Sequence, residues 1–170
     1  MRKVIHVVAA TAALGACAAP GPAFVKPTAA VPDGQARLFV FNTGSALTHH
    51  QSVVSLDGQT ICFLAGDEVM VRDIPPGQHK LSVDTPMSPG VSVLPFTAEP
   101  GKPVYIEAAK NGRAMAAVGL FGVFGVLGSM AASDHETPRG GALVLEQAQE
   151  EPATKTMASM AACACKKDGS

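Results

Sequence analysis

Cysteine, methionine and histidine are the side chains of this chain that could do chemistry. Near its C-terminal end, Met157, Met160, Cys163 and Cys165 place two thioethers and two thiols within nine residues. These are soft ligands of the type that holds Cu(I), or thiols that could cycle through oxidation. The spacing does not define a metal geometry. The plainer reading, and the favoured one, is a flexible tail with an incidental disulfide, either between Cys163 and Cys165 or to Cys62. His49 and His50 could bind a metal, but no acidic residue lies near them in sequence, so a solvated loop tip is favoured. The serines lie outside any Gly-x-Ser-x-Gly elbow. No His-Glu-x-x-His, glycine-rich phosphate loop or Cys-x-x-Cys occurs. The chain is therefore read as a non-enzyme with no catalytic residues, no metal and no bound cofactor.

The remaining cysteine, Cys17, sits in a different setting. Met1, Arg2 and Lys3 form a positive start, and Val4 to Leu14 is an apolar run interrupted only by His6 and Thr11. Secretory leaders are built this way. The leader ends in Leu14-Gly15-Ala16-Cys17, which resembles the lipobox of bacterial lipoproteins, a large aliphatic residue three positions before a cysteine with small residues between. The resemblance implies that residues 1–16 are removed and that Cys17 becomes a multiply acylated N-terminus, its covalent lipid taking the place of a cofactor. Several acyl chains hold firmly where one binds reversibly. Ala18 stands where an aspartate would signal retention at the inner membrane, so the resemblance implies an outer-membrane protein facing the periplasm. With Cys17 acylated, Cys62, Cys163 and Cys165 remain, an odd number.

These residues need a scaffold, and Ser52 to Val83 is where alternation and turn chemistry agree most often. Val53 to Leu56 leads through Asp57-Gly58 into Ile61 to Leu64, and an Asp-Gly pair between apolar runs is a strong hairpin signal. Ala65-Gly66-Asp67 turns the chain into Val69 to Asp73. Pro75-Pro76-Gly77 fits a type II turn before Lys80 to Val83. Ala36 to Asn42 is apolar on both faces and is placed centrally in a sheet. Val91 to Thr97 contains Pro95, which argues for an edge or a bulge. Val104 to Ala108 and Gly141 to Glu146 complete the set. Short strands at this spacing predict a mainly β fold, a small antiparallel β-sandwich with a Gly-rich apolar helical insertion before its last strand.

The order of strands with Val-Ser-Leu-Asp-Gly-Gln, Pro-Pro-Gly-Gln-His-Lys-Leu-Ser-Val and Glu-Pro-Gly-Lys-Pro-Val-Tyr-Ile between 54 and 106 resembles domain of unknown function 2846, and more loosely the PEGA domains. Both are small β modules of the bacterial envelope. The resemblance covers about residues 36 to 110, and because its motifs are turns it implies a fold and no chemistry. The insertion and the cysteine-containing tail depart from that pattern.

With 170 residues, one modest core is expected. Residues 17–35 hold Pro20, Pro22, Pro27 and Pro32 and read as a Pro/Ala-rich tether; 36–112 is the sandwich, 113–140 the insertion, 141–149 a closing strand and 150–170 the tail. Within the insertion, Ala114 to Ala132 is uncharged and as a helix would extend about 28 Å, close to the hydrocarbon thickness of a bilayer. Gly119, Gly122, Gly125 and Gly128 recur every third position, so they could let another backbone approach closely. A helix or helical hairpin against the membrane surface or a second subunit is favoured over burial within the domain and over a crossing, which would place Lys110 and Arg113 on the wrong flank. The formal charge is −1, and loss of Arg2 and Lys3 leaves eleven basic against fourteen acidic residues. That balance, without a dense basic patch, excludes nucleic acid as a partner. The partners expected are a membrane through the lipid, and a second copy or another envelope protein.

Overall fold

The computed structural model describes residues 21–44, 51–86, 88, 90–112 and 140–163. The fold is mainly β, with two sheets packed as a small sandwich. The strands are β1 (Ala36–Asn42), β2 (Ser52–Leu56), β3 (Gln59–Leu64), β4 (Glu68–Ile74), β5 (Gly77–Asp84), β6 (Val91–Ala98), β7 (Pro103–Lys110), β8 (Leu143–Ala148) and β9 (Ala161–Ala162). One helix, α1 (Glu150–Met157), lies between β8 and β9. The first sheet has the order β8-β7-β1-β4-β9 and the second β3-β2-β5-β6.

Turn chemistry sets the hairpins. Asp57 and Gly58 both take positive φ, 51° and 83°, as the two-residue β2–β3 turn demands. Gly77 is also positive, but at 136° it lies far beyond the roughly 80° of a type II turn. It already pairs with Ala98 as the first residue of β5, so it has passed from turn to strand. Pro95 sits in β6 at the rim of the second sheet, where its missing N–H costs no ladder bond.

The sheets are not wholly antiparallel. β1 pairs in parallel with β7, Leu38 opposite Val104 and Val40 opposite Ile106, and β4 pairs in parallel with β9. Six connections separate β1 from β7 and each reverses the chain, so the seventh strand must run the same way as the first when placed beside it.

Alternation divides the apolar residues between two cores. Leu38, Val40, Val54, Leu81, Phe96 and Ile106 are among those packed between the sheets. Phe39, Phe41, Val69 and Tyr105 point to the opposite face of the first sheet, where Ala153, Met157 and Met160 cover them. Every residue of β1 is therefore buried, as its run of large apolar side chains on both faces requires.

The helix corrects the expected flexible tail over residues 150–157. Glu150 and Glu151 in its first turn and Lys155 in its last complement the helix dipole. Pro152 lies in that first turn, where no intrahelical N–H is needed. Ala153 and Met157, four residues apart, form the buried face.

Candidate functional site

The residues singled out for chemistry separate into three places on the sandwich. The first is the junction of the two chain ends. β9 lies against β4, and the segment expected as a free tether lies against β9. Ala23 bridges Ala161, Phe24 N–H donates to the Met160 carbonyl at 2.8 Å, and Ala162 N–H donates to the Pro22 carbonyl at 2.7 Å. Prolines do not prevent this, because the acceptor is a carbonyl and proline brings no N–H of its own to satisfy.

Side chains extend the junction. Lys26 Nζ reaches Glu150 Oε1 at 2.8 Å and lies 5.5 Å from the centre of the Tyr105 ring. Tyr105 also donates to Glu150 at 3.1 Å. The hydrogen bonds from Lys26 and then Tyr105 hold the Glu150 carboxyl below its usual range. Arg37, only 8% exposed, binds both carboxylate oxygens of Asp73 at 2.7 and 3.0 Å. It also donates to the carbonyls of Ala29 and Ala30. The guanidinium thus pins residues 29–30 to β4, and the tether expected over residues 17–35 is docked from residue 21 onward.

The candidate soft ligands lie in this junction, but they do not form a site. Met157 is fully buried and Met160 nearly so, both in the core over the first sheet. Their sulfurs take part in packing, which withdraws both from the metal-ligand reading. Cys163 carries a thiol, its N–H donating to the Val69 carbonyl at 2.8 Å and its Sγ donating to the Phe63 carbonyl at 3.2 Å. Burial, with the Glu68 carboxylate beside it, pushes that thiol up to about 12. It stays protonated near neutral pH and is a poor nucleophile. Cys62 in β3 faces the core and is disulfide-bonded. No group of three or more metal-ligating side chains occurs among the described residues. Cys17, His49, His50, Cys165, Gly119, Gly122, Gly125 and Gly128 lie outside the described residues.

The second place is the root of the apolar insertion. Lys110 pairs with Leu143 at the end of the β7–β8 ladder. Just beyond, Asn111 N–H donates to the Ala142 carbonyl at 2.8 Å and Asn111 Nδ2 to the Gly141 carbonyl at 2.9 Å. Ser92 at the start of β6 accepts from Gly141 N–H at 3.0 Å and donates to the Leu143 carbonyl. Both roots are thus tied to each other and to the second sheet. No helix among the described residues is long and apolar enough to cross a membrane.

The third place was not visible in the sequence. His79 Nδ1 lies 2.7 Å from Asp57 Oδ2, and His79 Nε2 lies 2.9 Å from the Pro75 carbonyl oxygen. Asp57 Oδ1 also accepts from Lys80 N–H at 2.8 Å. The pair lines a shallow depression with Gln78, Pro95, Phe96 and Thr97. Both ring nitrogens face acceptors, so only the doubly protonated ring satisfies both. Neither nitrogen is left to take a proton from a substrate. The arrangement ties the β2–β3 turn to the β4–β5 turn, a structural role that no motif signals because the partners are 22 residues apart.

This pair makes stability depend on pH. Burial opposes charge on His79, but the bonds to Asp57 and Pro75 outweigh it, raising the ring above its ordinary 6.5. The same bond, then the Lys80 N–H, holds Asp57 below its ordinary 3.8. The His79 contribution is complete below pH 6.5 and is lost as pH rises through the raised value. The Asp57 contribution is present above 3.8 and is lost as pH falls through the lowered value. Asp57 is half exposed, so the contribution should stay below about 1 kcal/mol. Urea midpoints measured from pH 5 to 9 should fall above 6.5, and His79→Gln should remove that fall; an identical fall in the variant would exclude His79 as its source.

No protein-family model and no curated protein matches the sequence.

Proposed function

We propose that this chain is a non-enzymatic envelope lipoprotein, held at the outer membrane by acylated Cys17, whose sandwich presents the Gly-rich insertion as a membrane-surface or self-association contact. On this reading the scaffold is a small envelope β module of the kind its turn motifs resemble, those of domain of unknown function 2846 and the PEGA domains. The observation that supports a surface contact for the insertion, against a membrane crossing, is the clamp at its root. Asn111 and Ala142 are joined by a hydrogen bond, whereas a single crossing by Ala114 to Ala132 would leave its ends about 28 Å apart. The chain must return to its starting point, and a loop or hairpin that lies on a surface does so without carrying Asp134, His135 and Glu136 back through hydrocarbon. Gly119, Gly122, Gly125 and Gly128 supply the small side chains for close contact there.

The soft-metal alternative loses two of its four ligands to the core.

The test is Cys17→Ser in the full chain. Wild type should incorporate labelled fatty acid and sediment with membranes. The variant should do neither, because the anchor depends on one sulfur. Equal labelling of the two proteins would overturn the proposal.

A further inference from the structure

Docking of residues 21–30 changes how far the anchor can hold the sandwich from the membrane. If residues 17–35 were a loose tether, the sandwich could stand up to about 60 Å from the lipid. With the chain fixed at Gly21, four residue steps separate Cys17 from the folded protein, a reach of about 14 Å. A Cβ on Gly21 would lie 2.4 Å from the Ala162 carbonyl oxygen, so the chain departs directly beside β9. Ala162 is followed by Cys163, whose Sγ contacts the Phe63 carbonyl. The point where the anchor leaves is therefore next to Phe63 on β3.

Phe63 is 55% exposed, and it and Val25 are the two exposed large hydrophobic residues among those described. Val25 lies past Phe24, on the side of the segment leading away from the anchor. β3 is the rim of its sheet, and a large aromatic on an open rim is a liability unless something covers it. We propose that a lipid surface covers it: acylated Cys17 draws the β3–β9 edge of the sandwich onto the bilayer, and Phe63 enters the interfacial region where aromatic side chains partition. The inference rests on the lipoprotein reading above.

The chain contains no tryptophan, so Phe63→Trp provides a single indole reporter at an exposed position. Lipid-modified full-length protein carrying it is reconstituted into vesicles of phosphatidylethanolamine and phosphatidylglycerol, with or without lipids brominated on their acyl chains. Emission should shift to the blue and be quenched by the brominated lipid. Thr97→Trp, exposed on the opposite rim strand β6, should show neither effect. A Gly-Ser spacer of about 20 residues between Pro20 and Gly21, long enough to lift the domain away, should abolish most of the quenching at 63. Protein that sediments with vesicles while position 63 stays unquenched would overturn this inference and leave lipid anchoring intact. Protein that carries no lipid and does not sediment would overturn both.

Discussion

Met157→Ala should lower the stability of the folded chain by about 2–5 kcal/mol, the range for truncating a fully buried large side chain. Met157 has no exposed surface and packs among Phe39, Phe41, Tyr105 and Ala153 on the outer face of the first sheet. Removing its thioether arm leaves a cavity under a two-turn helix. Neither Phe39 nor Tyr105 can move to fill it, because their rings stack on each other at 4.8 Å and their backbones are fixed in paired central strands. Chemical denaturation of wild type and variant should give a lower midpoint with an unchanged slope. The competing idea, that Met157 serves a copper ion, requires another result: metal affinity falling while the metal-free protein denatures at the same midpoint.

Gly90→Ala should be more damaging than its single methyl group suggests. Gly90 takes φ of 79°, where an L-residue costs on the order of 1–3 kcal/mol. A Cβ there would also lie 2.2 Å from the Gly140 carbonyl oxygen and 2.8 Å from its carbon. Those are backbone atoms at the root of the insertion, held through Gly141 by Ser92 and Asn111. Relieving the overlap means moving that root, for a further cost of about 1–3 kcal/mol. Gly58→Ala is the control, since Gly58 has a similar φ of 83° with nothing within 4 Å of an added Cβ. The difference between the two losses measures the packing of the β5–β6 connection on the root. Equal losses would mean that the contact contributes nothing beyond backbone strain.

The same contrast separates what can be read locally from what cannot. Asp57-Gly58 specifies its turn because both residues tolerate positive φ, a property of the residues themselves. Pro95 announces a rim strand because it lacks a donor, and the run Ala36 to Asn42 announces a strand covered on both faces because it has no polar side to show water. Each signal acts within a few residues, so the strands and the sandwich class were legible in the sequence. The candidates Cys17, Gly119, Gly122, Gly125 and Gly128 were likewise drawn from local sequence patterns, and they lie outside the described residues.

Other features depended on distant partners. Glu150 to Met157 has one large apolar side chain and a proline, too little to mark a helix; it forms because Phe39, Phe41 and Tyr105 present an apolar face that needs a cover. The proline-rich stretch after Cys17 has the composition of a tether, yet it docks because β9 offers unpaired backbone groups and Arg37 and Glu150 wait for its carbonyls and for Lys26. Met157 and Met160 resemble soft ligands beside Cys163 and Cys165 until the packed sheet turns them inward. The His79–Asp57 pair exists because two separate turns meet at one end of the sandwich. Turn and strand preferences at such positions as Asp57-Gly58 and Ala36 to Asn42, and the chemistry each side chain could offer, follow from residue identity within a few positions. Tertiary structure decided which of those side chains are withdrawn into the core and how little chain is left between Cys17 and the fold, because burial and long-range pairing are properties of surfaces that exist only once the sheets have assembled.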